Sequence, residues 1–246
     1  MNIFYRLYVL FKIKRVFYTI WFNFKYLPFA QAKKMPIMFY KHSHAKMDKG
    51  ARIEFSKDFD FSKHKVNIGF SANDFEYQCE RTSLNVVGTV IFGGKFEARR
   101  GCILDFRGIT IFGDDVLFGP RCRCRIYNEA IFGHHLRIAH ETQIFDSNLH
   151  FSEKVDAPGY YPISRPIKIG NYCWIGNRST ISPGCVLPDY TIVASNSLVN
   201  KDFSSLDMYS TIGGIPAKFL RSGYTRVWDT NREKEYHKRE FKWIKQ

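Results

Sequence analysis

Between residues 169 and 199, every sixth residue of the chain is aliphatic, without exception. The series is Ile169, Ile175, Ile181, Leu187, Val193 and Val199. This period fits neither an isolated amphipathic helix nor alternating strands. It fits a solenoid in which each short strand points one aliphatic side chain inward before the chain turns. Three such sixes make one triangular coil, and stacked coils place aliphatic residues above aliphatic residues.

A longer period precedes this series, from about residue 84 onward. Phe92, Phe112 and Phe132 are each followed by glycine and are spaced twenty residues apart. Twenty residues are one coil with two extra residues in a turn. The rhythm breaks between Ile144 and Ile169, where Asp, Ser, Pro and Gly are frequent. We therefore predict an all-β solenoid over residues 48–221, with an excursion loop near residues 146–166.

The two ends of the chain have a different pattern. Residues 1–47 contain nine Lys or Arg, many aromatic residues and no acid, and Pro28 would end any helix there. Such an amphipathic helix either lies in a membrane interface with its cations facing anionic lipid, or packs on its own core. The one-sided charge favours the interface. Residues 222–246 are predicted to form a helical tail that caps the last coil.

The amino-acid composition narrows the range of possible binding partners. The chain has 246 residues, with 37 Lys or Arg against 23 acids and a formal net charge of +14, which favours anions. No nucleic-acid-binding motif accompanies the charge, so a nucleic-acid partner is disfavoured. The six cysteines form no CxxC pair, and most of them are predicted to be small buried thiols. Lacking a signal peptide and a long apolar run, the protein is predicted to be cytoplasmic, peripheral on the inner face of the membrane.

Several motifs in residues 169–218 resemble those of the hexapeptide-repeat acyltransferases, above all the sugar O-acetyltransferases. They include the run from Ile169 to Gly176, Ser-Pro-Gly at 182–184, Asn-Lys-Asp at 200–202 and Gly-Gly-Ile-Pro-Ala-Lys at 213–218. The resemblance implies a left-handed parallel β-helix assembled as a homotrimer. It also implies acetyl-CoA in the groove between neighbouring subunits and a loop histidine as general base.

The candidate base is His150, at the entrance to the predicted excursion. A neutral imidazole can take the proton of a sugar hydroxyl as it attacks the thioester, a step worth about 10²–10⁴ in rate. Asp146 or Asn148 is predicted to accept a hydrogen bond from the other ring nitrogen and fix the tautomer.

The resemblance also implies the donor site. Trp174 matches the tryptophan beside the pantetheine arm, and Asn177, Ser195 and Asn200 match polar positions along the groove, although threonine is more usual at the last. Lys201, Lys218 and Arg221 match basic positions that meet the nucleotide phosphates.

Other readings stay open. Arg121, Arg123 and Arg125 alternate with cysteines on one predicted strand face, where they either line a trimer contact, attract an anionic acceptor or form a solvated face. The same fold also occurs in zinc carbonic anhydrases. His135 and His140 are suitably placed, but the preceding coil lacks a third histidine, so no metal site is predicted.

These observations predict an acetyl-CoA-dependent O-acetyltransferase that acts on a sugar hydroxyl, such as that of a glycan precursor in surface polysaccharide biosynthesis. The alternatives are a xenobiotic or small-molecule acetyltransferase and a non-catalytic trimeric β-helix scaffold. O-acetylation is favoured over N-acetylation because the first 80 residues carry no nucleotide-binding motif.

Overall fold

Three parallel sheets form the body of the protein in a computed structural model, which describes residues 15–70 and 79–241. From β1 to β20, strands that follow one another along the chain go to the three sheets in turn, so each pairs with strands three positions away in the chain. At the end of the first sheet, β19 pairs with β21, and β21 pairs with β22 in antiparallel orientation. This order is that of a parallel β-helix, and it confirms the predicted all-β solenoid.

The strands of each sheet run in order along the helix axis. The first sheet contains β1 (Ile37–Phe39), β4 (Val66–Phe70), β7 (Phe96–Arg99), β10 (Val116–Phe118), β13 (Leu136–Ile138), β16 (Trp174–Ile175), β19 (Ile192–Val193), β21 (Thr211–Gly213) and β22 (Lys218–Arg221). The second contains β2 (Ser43–Met47), β5 (Thr82–Val86), β8 (Ile103–Phe106), β11 (Arg123–Ile126), β14 (Gln143–Phe145), β17 (Thr180–Ile181) and β20 (Leu198–Val199). The third contains β3 (Arg52–Phe55), β6 (Thr89–Phe92), β9 (Ile109–Phe112), β12 (Glu129–Phe132), β15 (Ile167–Ile169) and β18 (Val186–Leu187).

The six-residue series fills the core as predicted. All six aliphatic residues from Ile169 to Val199 are at most 2% exposed, and they lie in six successive strands, β15 to β20. Five of the cysteines are also buried, and burial raises the pKa of Cys173 to about 12. The thiol of Cys173 is therefore neutral at physiological pH, which confirms a packing role.

The twenty-residue period is a stack of phenylalanine rings in the third sheet. The ring of Phe112 lies 5.6 Å from that of Phe92 and 4.8 Å from that of Phe132, with interplanar angles of 14° and 21°. The glycine after each ring forms the corner of the coil. A Cβ at Gly113 would lie 2.7 Å from the backbone of Gly133, so the corner admits no side chain.

Helix α1 (Val16–Tyr26) packs against the open end of the first coil and is followed by the short helix α2 (Phe29–Ala32). The buried amide of Asn23 donates to the carbonyl of Ile37 at 2.7 Å and accepts from its N–H at 3.2 Å. The hydroxyl of Thr19 accepts from the N–H of Phe39 at 3.0 Å. These side chains satisfy backbone groups on the free edge of β1.

The solenoid begins earlier than predicted. β1 and β2 lie within residues 1–47 and pair in register with β4 and β5, so the boundary at residue 48 is wrong. The lysines of this stretch concealed the strand period, because exposed strand positions accept charge. At the other end, helix α3 (Thr230–Glu240) lies beside the outer face of the first sheet and lines a cavity with it. The prediction that this segment caps the last coil is therefore wrong.

The central ring of the stack supplies a test of the core. Replacing Phe112 by alanine should lower the free energy of unfolding by about 3–5 kcal/mol, because a buried ring is lost and a cavity remains. Chemical denaturation at fixed protein concentration measures the change. Ile109→Ala is the matched control in the same strand, since its side chain is 49% exposed, and it should cost less than about 1 kcal/mol. Equal losses in both variants would contradict this account.

Candidate active site

The predicted excursion leaves the solenoid between β14 and β15. Its two ends are tied together: the N–H of Asn148 donates to the carbonyl of Ile163 at 2.8 Å, and the N–H of Arg165 donates to the carbonyl of Asp146 at 3.0 Å. Beyond this neck the loop is exposed to solvent. A projecting loop on a regular scaffold is a common place for chemistry.

Asp146 anchors the loop to the coil below. Its carboxylate is fully buried and accepts the backbone N–H groups of Tyr127, Asn128 and Glu129 at 2.7, 2.7 and 2.8 Å. Both carboxylate oxygens are occupied by the preceding turn, and no hydrogen bond joins Asp146 to His150 in the described part of the chain. Asp146 is therefore a structural anchor, and its predicted role as the orienting partner of His150 is wrong for this subunit.

His150 follows the anchor by four positions and is exposed. Within residues 15–70 and 79–241 its ring makes no hydrogen bond or ion pair. The side chain of Asn148 is also exposed, two positions before it. The contact of Asn148 with the imidazole therefore stays a prediction.

Three predicted donor residues lie along one edge of the solenoid, where the first sheet turns into the second. Trp174 points outward from β16 and is 40% exposed. Asn177 follows β16, and Ser195 follows β19, the next strand of the same sheet. The hydroxyl of Ser195 lies 2.5 Å from the side-chain oxygen of Asn177 and donates to it. The two polar groups thus form one small cluster beside the tryptophan.

The remaining donor residues lie elsewhere. Asn200 and Lys201 follow β20 of the second sheet, and the ammonium of Lys201 lies 5.1 Å from the ring of Phe203. Lys218 and Arg221 belong to β22, at the end of the first sheet. The seven predicted residues therefore belong to two sheets and the turns that follow their strands within one subunit.

The C-terminal segment is the part of the site that sequence reasoning missed. Residues 225–237 line one wall of an open cavity of about 880 Å³, and the outer face of the first sheet lines the other, with Arg137, His140 and Trp174. The ring of Trp228 lies edge-on to the ring of Tyr172, with 5.5 Å between their centroids. The guanidinium of Arg137 also lies 5.5 Å from the ring of Trp228. The signal available in the sequence was the pair of tryptophans, Trp174 and Trp228, that now line this cavity.

A ladder of rings supports this face. Four residues occupy equivalent left-handed turns in successive coils, and their rings stack at 4.6, 4.8 and 4.6 Å; they are His135, Tyr172, Tyr190 and Tyr209. Next to it, Arg137 pairs with Asp115 at 2.5 Å. Burial raises the pKa of Asp115, but the hydrogen bond and charge of Arg137 outweigh it, and the pKa is lowered.

The three arginines around β11 do not share one environment. Arg121 occupies the turn before the strand and pairs with Glu80 at 2.6 Å and Glu141 at 3.4 Å. It is part of a charge ladder, and the prediction that it shares a face with Arg123 and Arg125 is wrong. The latter two point outward from the strand, as predicted.

The zinc alternative finds no supporting geometry. Nδ1 of His135 lies 3.2 Å from the carboxylate of Asp115. His135 precedes β13, whereas His140 follows the same strand at its other end. Among the residues that the structure describes, no group of three histidine, cysteine or acidic side chains is arranged to hold a metal ion.

Comparison with known proteins agrees with this fold. Residues 166–201 match the family described as bacterial transferase hexapeptide (six repeats). The lipopolysaccharide biosynthesis O-acetyl transferase WbbJ of Escherichia coli (strain K12), so named, is 27% identical over 154 residues, which are 58% of this chain and 77% of that protein. A chloramphenicol acetyltransferase of Agrobacterium fabrum is 37% identical over 68 residues, which are 28% of this chain and 31% of that protein.

Among solved structures, the chain is similar to the polysialic acid O-acetyltransferase OatWY, with 14% identity and a TM-score of 0.46, over 83% of this chain and all of that one. Residues 166–201 thus carry hexapeptide repeats of the bacterial transferase type, and they lie in the parallel coils of the β-helix. The predicted resemblance to this family is confirmed, and the named relatives are acetyltransferases.

The anchoring role of Asp146 can be tested directly. Asp146→Asn places an amide nitrogen against backbone donors, and two hydrogen bonds to a charged acceptor are worth about 1.5–3 kcal/mol each. We expect the free energy of unfolding to fall by about 3 kcal/mol or more, measured by chemical denaturation. Asp156→Asn, in the exposed part of the same loop, is the control. If the two variants were equally stable, Asp146 would not be the anchor.

Proposed function

We propose that this chain is an acetyl-CoA-dependent O-acetyltransferase that acts on a sugar hydroxyl and works as a homotrimer. The observation that carries the proposal is the loop at 146–166: it leaves the regular coils and presents His150 to solvent directly before the repeats that match the transferase family. A sugar acceptor is favoured because the relative aligned over 77% of its own length is named for lipopolysaccharide biosynthesis.

The reaction would proceed through His150 as general base. The imidazole takes the proton of the acceptor hydroxyl while the hydroxyl oxygen attacks the carbonyl carbon of the thioester. The carbon–sulfur bond then breaks, and the imidazolium returns the proton to the departing thiolate of coenzyme A. Asn148 is the proposed orienting partner of the ring, because the carboxylate of Asp146 is occupied by backbone donors.

The division of the donor residues supports a trimer. An elongated donor in a groove between two subunits can meet Trp174, Asn177 and Ser195 of one subunit while the loop of a neighbour supplies His150. Asn200, Lys201, Lys218 and Arg221 are the proposed contacts for the polar end of the donor, where ammonium and guanidinium groups bind phosphate strongly.

Two alternatives remain in view. A xenobiotic acceptor has support in the chloramphenicol acetyltransferases, but their match covers about a third of their length. A scaffold without turnover would not require the exposed His150. The acceptor experiment separates these functions.

The test combines donor binding with transfer kinetics. Calorimetric titration of acetyl-CoA into wild-type protein and His150→Ala should show saturable binding to both, because the histidine acts on the acceptor. Transfer to 4-nitrophenyl β-galactoside and to chloramphenicol, followed by release of the coenzyme A thiol, should lose about 10²–10⁴-fold in kcat with His150→Ala. His44→Gln, in the first coil, is the control and should keep full activity.

The outcomes separate the alternatives. Transfer to the sugar alone supports the proposed acceptor, whereas transfer to chloramphenicol alone favours the xenobiotic enzyme. If the wild-type protein neither binds acetyl-CoA nor transfers an acetyl group, the enzymatic proposal is wrong and the scaffold takes its place.

We further propose that α1 rests on an anionic membrane surface. Its inner face packs on the first coil, but Phe17, Ile20, Trp21 and Phe24 form an outward stripe and are 79%, 41%, 46% and 45% exposed. The ammonium of Lys25 lies 4.7 Å from the Trp21 ring. Aromatic rings flanked by cations suit the headgroup region. The described helices contain none that is long and apolar enough to cross a bilayer.

Vesicle binding tests this surface. Wild-type protein should sediment with vesicles of phosphatidylglycerol and phosphatidylethanolamine more strongly than with phosphatidylcholine, and less at high salt. Replacing Phe17, Trp21 and Phe24 together by serine should reduce binding at least about tenfold, because several rings leave the interface. Ile109→Ser, on an exposed strand position, should bind as wild type. Unchanged binding of the triple variant would exclude α1 as the contact.

A further inference from the structure

The outer face of the second sheet carries a surface next to the catalytic loop that the proposed reaction does not use. We call it the arginine face and define it by Arg123, Arg125, Gln143 and Phe145, which point outward from β11 and β14. The loop residues Asn148 and Leu149 close one side of it, and together they line a cavity of about 240 Å³. His150 follows this wall immediately in sequence.

The two guanidinium groups on this face are not neutralised within the described residues. Neither the guanidinium of Arg123 nor that of Arg125 forms an ion pair or hydrogen bond there. The nearest acid by register is Asp105, opposite Arg125 in β8, but it accepts from the side chain of Arg107 at 3.1 Å and from Asn85 at 2.7 Å. Two like charges side by side on one strand are costly unless an anion comes between them.

Arg121, in the turn before the same strand, contrasts with these two residues because it is paired with acids. Arg121 binds Glu80 on one side and Glu141 on the other, and the hydrogen bond of Arg178 and its charge keep the pKa of Glu141 below its usual range. Arg123 and Arg125 therefore differ from their neighbour Arg121, whose charge is compensated by two acids.

We propose that Arg123 and Arg125 bind the anionic group, carboxylate or phosphate, of an acidic sugar acceptor. Guanidinium groups recognise both oxyanions in a planar, bidentate manner. The rings of Phe145 and Tyr127 offer apolar surface for a sugar ring, and Asn148 offers polar contacts near the loop. An acceptor held by its charge on this face would have a hydroxyl near His150. The inference rests on the proposed function and specifies its acceptor.

The experiment compares three acceptors that differ in charge: 4-nitrophenyl β-galactoside, 4-nitrophenyl β-glucuronide and galactose 1-phosphate. Transfer from acetyl-CoA is measured with wild type, Arg123→Gln, Arg125→Gln and the corresponding lysine variants. We expect KM for one of the charged acceptors to rise about 10- to 100-fold in the glutamine variants, with partial retention in the lysine variants. The neutral acceptor should be little affected.

Arg52→Gln is the matched control, because it removes the same charge from an exposed strand position on the third sheet. It should leave all three KM values unchanged. Loss with the glucuronide alone identifies a carboxylate ligand, and loss with the phosphate alone identifies a phosphate ligand. Equal effects on the neutral acceptor, no effect on any, or dissociation of the oligomer in light scattering would overturn the assignment.

Failure of the proposed function gives a different result. If the wild type transfers nothing, calorimetric binding of the glucuronide and of galactose 1-phosphate still tests the arginine face: binding that is lost in Arg123→Gln and kept in Arg52→Gln supports an anion site without the enzyme. Absence of binding to the wild type would overturn both.

Discussion

Parallel strands stacked in register place every side chain directly above an equivalent side chain of the neighbouring coil, about 4.8 Å away. Everything regular in this protein depends on that constraint. Inside, it aligns the rings of Phe92, Phe112 and Phe132. At the corners, it brings backbones so close that Gly113 has no room for a Cβ. On the outside, each side chain lies next to the side chains at the same position of the neighbouring coils. The ladder of rings from His135 to Tyr209 and the ion pairs around Arg121 are examples.

The same constraint explains why departures from it are informative. A column of like residues is stable when the residues stack or alternate in charge, and costly when they repel one another. Arg123 lies above Ile103 and below Gln143, and Arg125 lies between Asp105 and Phe145. Arg123 has no acid in its column, and the carboxylate of Asp105 beside Arg125 is engaged by Arg107 and Asn85 instead. In the turn before the strand, by contrast, Arg121 is paired with Glu80 and Glu141. The loop that replaces a regular turn is the other departure, and it adjoins the same face.

The sequence period was sufficient to predict the coils, because one inward residue in six is a purely local requirement. It could not reveal β1 and β2, whose exposed lysines and aromatic neighbours are equally compatible with a helix. Nor could it show that Asp146 faces inward, since an Asp in a polar turn gives no sign of which way it points; three backbone donors from the preceding coil decide that. The position of Trp228 depends on a contact across the fold with Tyr172, which no local pattern contains.

The positions of α1 and of the loop at 146–166 along the axis bear on how the proposed membrane-associated acceptor would be reached. α1 covers the first coil, and the loop leaves the solenoid after β14, in the fifth coil from that end. Four coil spacings of about 4.8 Å place His150 roughly 20 Å along the axis from the helix. A sugar attached to a lipid extends over a comparable length, so an α1 lying in the interface would hold the loop at the depth of the glycan. A small, freely diffusing acceptor would need no such spacing.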